Sequence, residues 1–584
     1  MCVRQLANRV VAPARTLLVG AVLTVTASSA LCQGLPTLDY AGRAGEKRPE
    51  LLDRQSGSPP AGITLPAPAV PLGQSSGIPS RSILVKKIVV TGSTVFTPEE
   101  ISKVTAPYEN RSLSMENLES LRREVTSLYV TAGYINSGAI IPAQGVTDGI
   151  ITLRVVEGTL NALTVQGNTW FSDSFIRDRI ELGVDVPLNI NSLQSSLQLL
   201  QQDQRFRSIH AELRPGSEPG ESHLSVRVEE KPPVSLWTAF NNYQSSSIGA
   251  ERGMATLTHL NLTGHGDVLS VTYGYSSGLS PLIDTFYALP LNAYDTTLMF
   301  RYRKNDNTTV DKAFGPLDIV GKTDGYELNL RQPLYRSLTQ EFALSLAIEQ
   351  EFSDTWLGGE PFSFSPGTDN GHAVVVPLRL GMEWTHRTRQ EVIAARSRFT
   401  FGLNALGATH HGDDGVPDGQ FFAWLGQLQY TRILDLADIQ ILGRIDIQRA
   451  TKPLLSMEQF GVGGRYTVRG YRENLLVRDE ALITSVESRI PLLQNYSWAD
   501  YLQFCQFFDY GQARNVDAPT ATPSDLSSIG LGLRWGTTLL KLPFELKGEA
   551  EIYWGYQLRH LDYYRYEGVQ DNGIHYQIAL TGFF

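Results

Sequence analysis

The stretch Gly463-Gly464-Arg465-Tyr466-Thr467-Val468-Arg469-Gly470-Tyr471 carries an Arg-Gly pair on a glycine-rich loop, and Phe507-Phe508-Asp509-Tyr510-Gly511 follows further along. Arginine stays protonated, and its planar fork can hold a carboxylate through two parallel hydrogen bonds. An arginine on such a loop, with an aspartate on a nearby strand face, predicts a buried ion pair. Successive strand residues point to opposite faces. Asp509 therefore shares a face with Cys505 and Phe507, opposite Phe504 and Phe508. Glu487 shares its face with Ser485 and Arg489, opposite Leu482 and Val486. Both carboxylates then stand within reach of Arg469, Asp509 as the main partner and Glu487 as a second.

Two other motifs have the residue types of chemistry but not the setting. Gly274-Tyr275-Ser276-Ser277-Gly278 matches a nucleophile elbow, which needs a strand-to-helix turn. Here it closes one β run and leads into Leu279-Ser280-Pro281, with no helix signal. His410-His411-Gly412-Asp413-Asp414 could hold a metal, yet Gly415, Pro417, Asp418 and Gly419 make a solvated loop the better reading. Gly264-His265-Gly266-Asp267 reads as a turn between strands. The expectation is a protein that is not an enzyme, with no cofactor and no metal.

The elements that must carry these residues begin with a leader. Residues 1–30 hold Arg4, Arg9 and Arg15 without an acid, then an apolar run from Leu17 to Ala27, then Ser28-Ser29-Ala30. That is the plan of a secretory signal peptide cleaved after Ala30. Residues 31–80 are rich in Pro, Gly, Ser and Ala and predict an extended linker. Within it, the charged stretch 44–54 could form a helix of two turns, although an unstructured segment is the better reading. No later apolar run is long enough for a spanning helix, so a membrane role must run through a β-barrel. Three cysteines make no disulfide framework. A formal charge of −10 argues against nucleic acid as a partner.

From Ile83 the pattern is compact and repeats in the order β-α-α-β-β. Val85 to Val90 reads as a strand, and Thr97-Pro98-Glu99-Glu100 as a capping box with proline at the first helical position. Leu118, Leu121, Val125 and Leu128 mark a second helix that stops at Gly133. Strands follow at Ser137–Ile141 and Ile150–Val156, joined through Asp148-Gly149, a hairpin-type signal. Then Val165-Gln166-Gly167-Asn168-Thr169-Trp170-Phe171 echoes Val90-Thr91-Gly92-Ser93-Thr94-Val95-Phe96. Leu193, Leu197 and Leu200 mark a helix, and Leu224, Val226 and Val228 a last strand. Strands near 160–166 and 223–229 would offer edges to an extended peptide.

After Lys231-Pro232-Pro233 the period becomes two. Leu269, Val271, Tyr273 and Tyr275 alternate with small polar residues, and Phe342, Leu344, Leu346 and Ile348 with Ala343, Ser345, Ala347 and Glu349. Ile529, Leu531, Leu533 and Trp535 oppose Gly530, Gly532 and Arg534, while Ile552 and Trp554 oppose Glu549 and Glu551. A soluble sandwich would alternate as well, but an aromatic-rich apolar face against a repeatedly charged one favours a membrane barrel with a wet lumen. The chain ends on Phe584, on one face with Tyr576, Ile578, Leu580 and Gly582.

Val468-Arg469-Gly470-Tyr471, with Phe508-Asp509-x-Gly511, resembles the signature of the Omp85 superfamily. The two repeats resemble POTRA domains. Tyr129 to Gly158, with Val155-Val156-Glu157-Gly158, is similar to the first POTRA of two-partner secretion transporters, the ShlB/FhaC/HecB-type haemolysin activation/secretion proteins. The resemblance implies a transmembrane β-barrel of about sixteen antiparallel strands, preceded by two small α+β POTRA domains at 81–157 and 158–231. The barrel would span 232–584, with 461–478 folded into the lumen as a loop, and a helix that plugs the pore, where the family has one, could be supplied here only by 44–54. It implies residence in the outer membrane of a Gram-negative cell with the POTRA domains in the periplasm. There they would capture an unfolded adhesin- or haemolysin-like exoprotein through its N-terminal two-partner-secretion domain. Outer-membrane lipids, and the assembly machinery that reads the terminal Phe584, are the other partners implied. The alternative is an Omp85-type factor that inserts other barrels; a passive porin would carry no POTRA repeats.

Overall fold

The computed structural model describes residues 82–146, 148–310, 315–412, 415–541, 544–561 and 568–584. The expected leader, linker and plug helix lie outside the described residues.

The first small unit consists of β1 (Lys87–Thr91), α1 (Pro98–Thr105), α2 (Met115–Thr131), β2 (Gly138–Ile140) and β3 (Ile150–Val156). The Thr97 hydroxyl accepts the Glu100 amide, and the Glu100 carboxylate accepts the Thr97 amide, which closes the capping box at the start of α1. β3 lies in the middle of the sheet, parallel to β1 and antiparallel to β2. The helices bury Leu118, Leu121, Val125 and Tyr129 against Ile151, Leu153 and Val155. Tyr129 takes the inward position expected of Leu128, because the buried stripe runs at i+4 from Leu121 onward. The expected strand from Val85 to Val90 is interrupted at Lys86, where the amides of Lys86 and Lys87 both donate to the Gly149 carbonyl. Asp148 and Gly149 do take positive φ, but β2 and β3 are joined by a longer connection than a two-residue hairpin.

The second unit repeats the plan with β4 (Thr159–Gln166), α3 (Asp173–Glu181), α4 (Ile190–Gln201), β5 (Phe206–Pro215) and β6 (Glu221–Glu230). Here β6 is central, parallel to β4 and antiparallel to β5. Segment 223–229 is therefore no edge: the last strand of a β-α-α-β-β unit returns between its predecessors and is bonded on both sides. The open edges are β4 and β5.

One glutamate closes each unit. The Glu157 carboxylate accepts the Thr94 amide at 2.7 Å, the Thr94 hydroxyl at 2.5 Å and the Val95 amide at 3.2 Å. Glu230, in the same place of the second unit, accepts the amides of Thr169, Trp170 and Phe171 at 2.7–3.1 Å. Each carboxylate thus holds the loop after its unit's first strand, where donors would otherwise lack partners.

Sixteen long antiparallel strands, from Val234–Asn241 to Ile574–Phe583, make a closed barrel. Closure is by pairing of the last strand with the first, from Gln577 opposite Asn241 to Phe583 opposite Ser235. Val271, Tyr273, Leu346, Ile529, Leu531, Ile552 and Trp554 are exposed on the outer wall, while Glu349, Asp509 and Tyr553 are buried on the inner one. Phe584 is half-exposed, its ring 5.4 Å from that of Phe544.

The second unit sits on the barrel rim. The Ser172 amide donates to Gly264 O at 2.9 Å, Asn261 Nδ2 to Trp170 O at 2.8 Å, and Arg205 Nη1 to Gly266 O at 2.5 Å. Residues 264–267 are indeed a turn between two barrel strands, His259 and Val268 being the flanking strand ends. Arg179 of α3 pairs with Asp295 on the next turn at 2.5 Å.

Candidate functional site: a lumen loop pinned to the barrel wall

Two short strands, Phe460–Val462 and Leu476–Arg478, pair antiparallel and carry the intervening loop away from the wall into the lumen. Its apolar residues Val462, Val468, Tyr471 and Leu476 pack against Ile483, Ala513 and Leu526 of the inner wall. Gly511 makes that approach possible. A Cβ there would lie 2.7 Å from a methyl of Val462 and one of Val468. Asp479, just past the hairpin, accepts the amides of Leu454 and Val516 at 3.0 and 2.9 Å and ties its base to the barrel.

Arg469 lies at the centre of the loop's contacts with the wall. Its Nε is 2.7 Å from Asp509 Oδ2 and its Nη2 2.8 Å from Oδ1, the parallel two-bond geometry in which arginine holds a carboxylate best. Its own amide also donates to Asp509, at 3.0 Å, and Nη1 reaches Glu487. Glu487 is shared with Arg489, 2.6 Å away, and Ser485 donates to Asp509 at 2.5 Å. The guanidinium lies 3.6 Å above the Phe507 ring. Asp509 and Glu487 are thus brought together with Arg469 on neighbouring strands, Ala499–Arg514 and Glu480–Tyr496, which pair Asp509 with Ser485. Phe508 points the other way and is exposed on the outer wall.

Beside Arg469 the loop meets the wall again. Gln557 Nε2 donates to Gly470 O at 2.7 Å, and His575 Nε2 lies 3.1 Å from Tyr471 O. The Tyr471 hydroxyl lies 2.9 Å from Ser527 O and 2.8 Å from Arg559 O and donates its one proton between them. A cluster of this kind, with every charge paired and the loop backbone bonded, suits holding a segment in one position. Among the described residues no group of histidine, cysteine, aspartate or glutamate is spaced to bind a metal.

The family model described as Haemolysin secretion/activation protein ShlB/FhaC/HecB matches residues 220–535, more than half of the chain. The chain belongs to this family. A POTRA domain model of ShlB type matches residues 83–158. Similar proteins include the outer membrane transporter CdiB of Dickeya dadantii, 23% identical over 411 residues, 69% of this chain and 71% of that protein. The hemolysin transporter protein ShlB of Serratia marcescens is 24% identical over 421 residues, 69% of this chain and 70% of that one. The solved structure of CdiB from Escherichia coli has the same fold, with a TM-score of 0.63 at 20% identity over 88% of this chain and 93% of that one. Members of the ShlB/FhaC/HecB family are two-partner secretion transporters of the Omp85 superfamily, a family of transporters and not of enzymes; this chain is an outer-membrane transporter of that kind, and an insertion factor is not favoured.

Several residues around the loop escape a reading of the sequence. Arg465, four residues before Arg469, makes a second fork-to-fork pair, with Glu551. Tyr553, Gly555 and Gly573 line the same side of the lumen. Alternation marks Glu551 as inward-facing, but no local signal says which loop residue crosses the lumen to meet it.

Proposed function

We propose that this transporter captures an unfolded exoprotein in the periplasm with two POTRA domains, 81–157 and 158–231, and secretes it through the barrel formed by 232–584. The cargo is a polypeptide that begins with a two-partner-secretion domain and ends outside a Gram-negative cell as an adhesin or a haemolysin-like protein. The observation that carries this reading is the junction between the second unit and the barrel rim. β4 is an open sheet edge on a domain hydrogen-bonded to turn 260–267, so a strand added to it is held next to the lumen mouth. Strand addition uses main-chain hydrogen bonds and tolerates varied sequences, as an unfolded cargo requires. In this reading the Arg469–Asp509–Glu487 clamp keeps the lumen loop against the wall in the position that secretion needs.

The test is binding of the fragment 82–231 to the unfolded N-terminal region of the cognate exoprotein. Micromolar or weaker binding is expected, removed by a proline in the middle of β4. A fragment that binds this region no better than an unrelated unfolded chain overturns the receptor role.

A further inference from the structure

We infer that Arg465 is a second positioning residue of the lumen loop, and that its pin reaches across the seam where the barrel closes. Arg465 Nε and Nη2 each lie 3.1 Å from one oxygen of Glu551, on the strand Glu545–Gln557 next to the last. The same carboxylate accepts the Tyr243 hydroxyl at 2.7 Å. Tyr243 is buried and lies two residues past the end of the first barrel strand, Val234–Asn241. Between them Asn242 bonds the last strand: its amide donates to Tyr576 O at 3.3 Å, its Nδ2 to Ile574 O at 2.8 Å, and its Oδ1 accepts the Tyr576 amide at 2.9 Å. Glu551 therefore joins the loop, the penultimate strand and the continuation of the first strand, bridging over the last strand from inside.

Arg469 holds a different part of the wall, two strands that do not touch the seam. The two guanidinium groups would repel each other, and Tyr553 stands between them. Its ring lies 4.1 Å from the Arg465 carbon and 5.2 Å from that of Arg469, and an aromatic face attracts each cation. The two pins therefore bear on different strands, one on interior strands and one over the seam. Loss of Arg465 should loosen the seam while the Asp509 clamp persists.

The test uses the full-length protein in lipid nanodiscs without exoprotein, so it does not depend on the secretion reading. Hydrogen exchange is followed at 242–244 and 574–577, and at the strands 480–496 and 499–514. In Arg465→Ala the seam amides should exchange several-fold faster while the two strands keep their protection; Arg469→Ala should show the reverse. Tyr243→Phe, which removes one oxygen and keeps the ring, should speed exchange at 242–244 alone. Added to Arg465→Ala it should contribute little more, because both act through Glu551. Wild-type exchange at the seam in Arg465→Ala, additive effects with Tyr243→Phe, or loosening of the same strands by both arginine variants would overturn the inference.

Discussion

Gly470 and Gly555 meet backbone to backbone where the lumen loop crosses the barrel wall. A Cβ on Gly555 would lie 2.7 Å from both the Cα and the nitrogen of Gly470, and one on Gly470 would lie 2.7 Å from the Gly555 carbonyl oxygen. Gly470 also has a φ of 94°, a region that side-chain-bearing residues rarely enter. The glycine of the Arg-Gly pair is there because the wall behind it leaves no room.

Gly555→Ala should consequently push the loop off the wall without touching any charged group. Overpacking of this kind costs about 1–3 kcal/mol, and the Gln557–Gly470 hydrogen bond should go with it. Secretion should fall sharply while the barrel still inserts and remains heat-modifiable. Wild-type secretion by Gly555→Ala would mean that the loop tolerates displacement.

Arg469→Ala and Asp509→Ala should each impair secretion to a similar extent, since breaking a buried pair costs about 3–5 kcal/mol. The double variant should be no worse than either single change, because the two residues act as a unit. Arg469→Lys should rescue little, as an ammonium cannot reproduce the two parallel bonds to Asp509 or the stacking on Phe507. Secretion assays at matched barrel levels decide this, and additive defects would argue against a shared role.

The Glu157 clamp gives the first POTRA unit a pH dependence. Partial burial by itself would raise the carboxyl, but the Thr94 hydroxyl and amide, then Tyr129 and Val95, outweigh it and hold Glu157 below its ordinary value. A depressed folded-state value stabilises the fold above the unfolded-state value, and that stability is lost as pH falls from about 5 toward 3. Glu157→Gln should lower the melting temperature of fragment 82–231 at pH 7 and flatten its decline with acid. An unchanged acid profile in Glu157→Gln would assign the decline to other carboxylates.

Arg205→Ala should undock the second unit from the barrel. Arg205 donates to Gly266 O and is held in place by Asp203, 2.8 Å from its Nε. Spin labels on Ser195 of α4 and Thr339 of a neighbouring turn should give a narrow distance distribution in the wild type and a broad one in Arg205→Ala. Two equally narrow distributions would show that Arg179–Asp295 and the Ser172–Gly264 hydrogen bond suffice.

Much of this protein is written locally. The two-residue period of strands such as Ile529–Trp535 determines which side chains face out, because one apolar face must meet a nonpolar surround while the other stays wet. The capping box at Thr97 and the repeat of Val90–Phe96 at Val165–Phe171 are likewise short-range, and so is the placing of Asp509 and Glu487 on the lumen face. What needed the tertiary structure is everything set by pairing across distance. The central position of β6, which turns 223–229 from an edge into the middle of a sheet, depends on which strands meet. So does the pairing of Arg465 with Glu551, 86 residues apart: the charge of each residue is local, but which charges meet in the lumen is decided by how far the loop reaches and where the barrel closes.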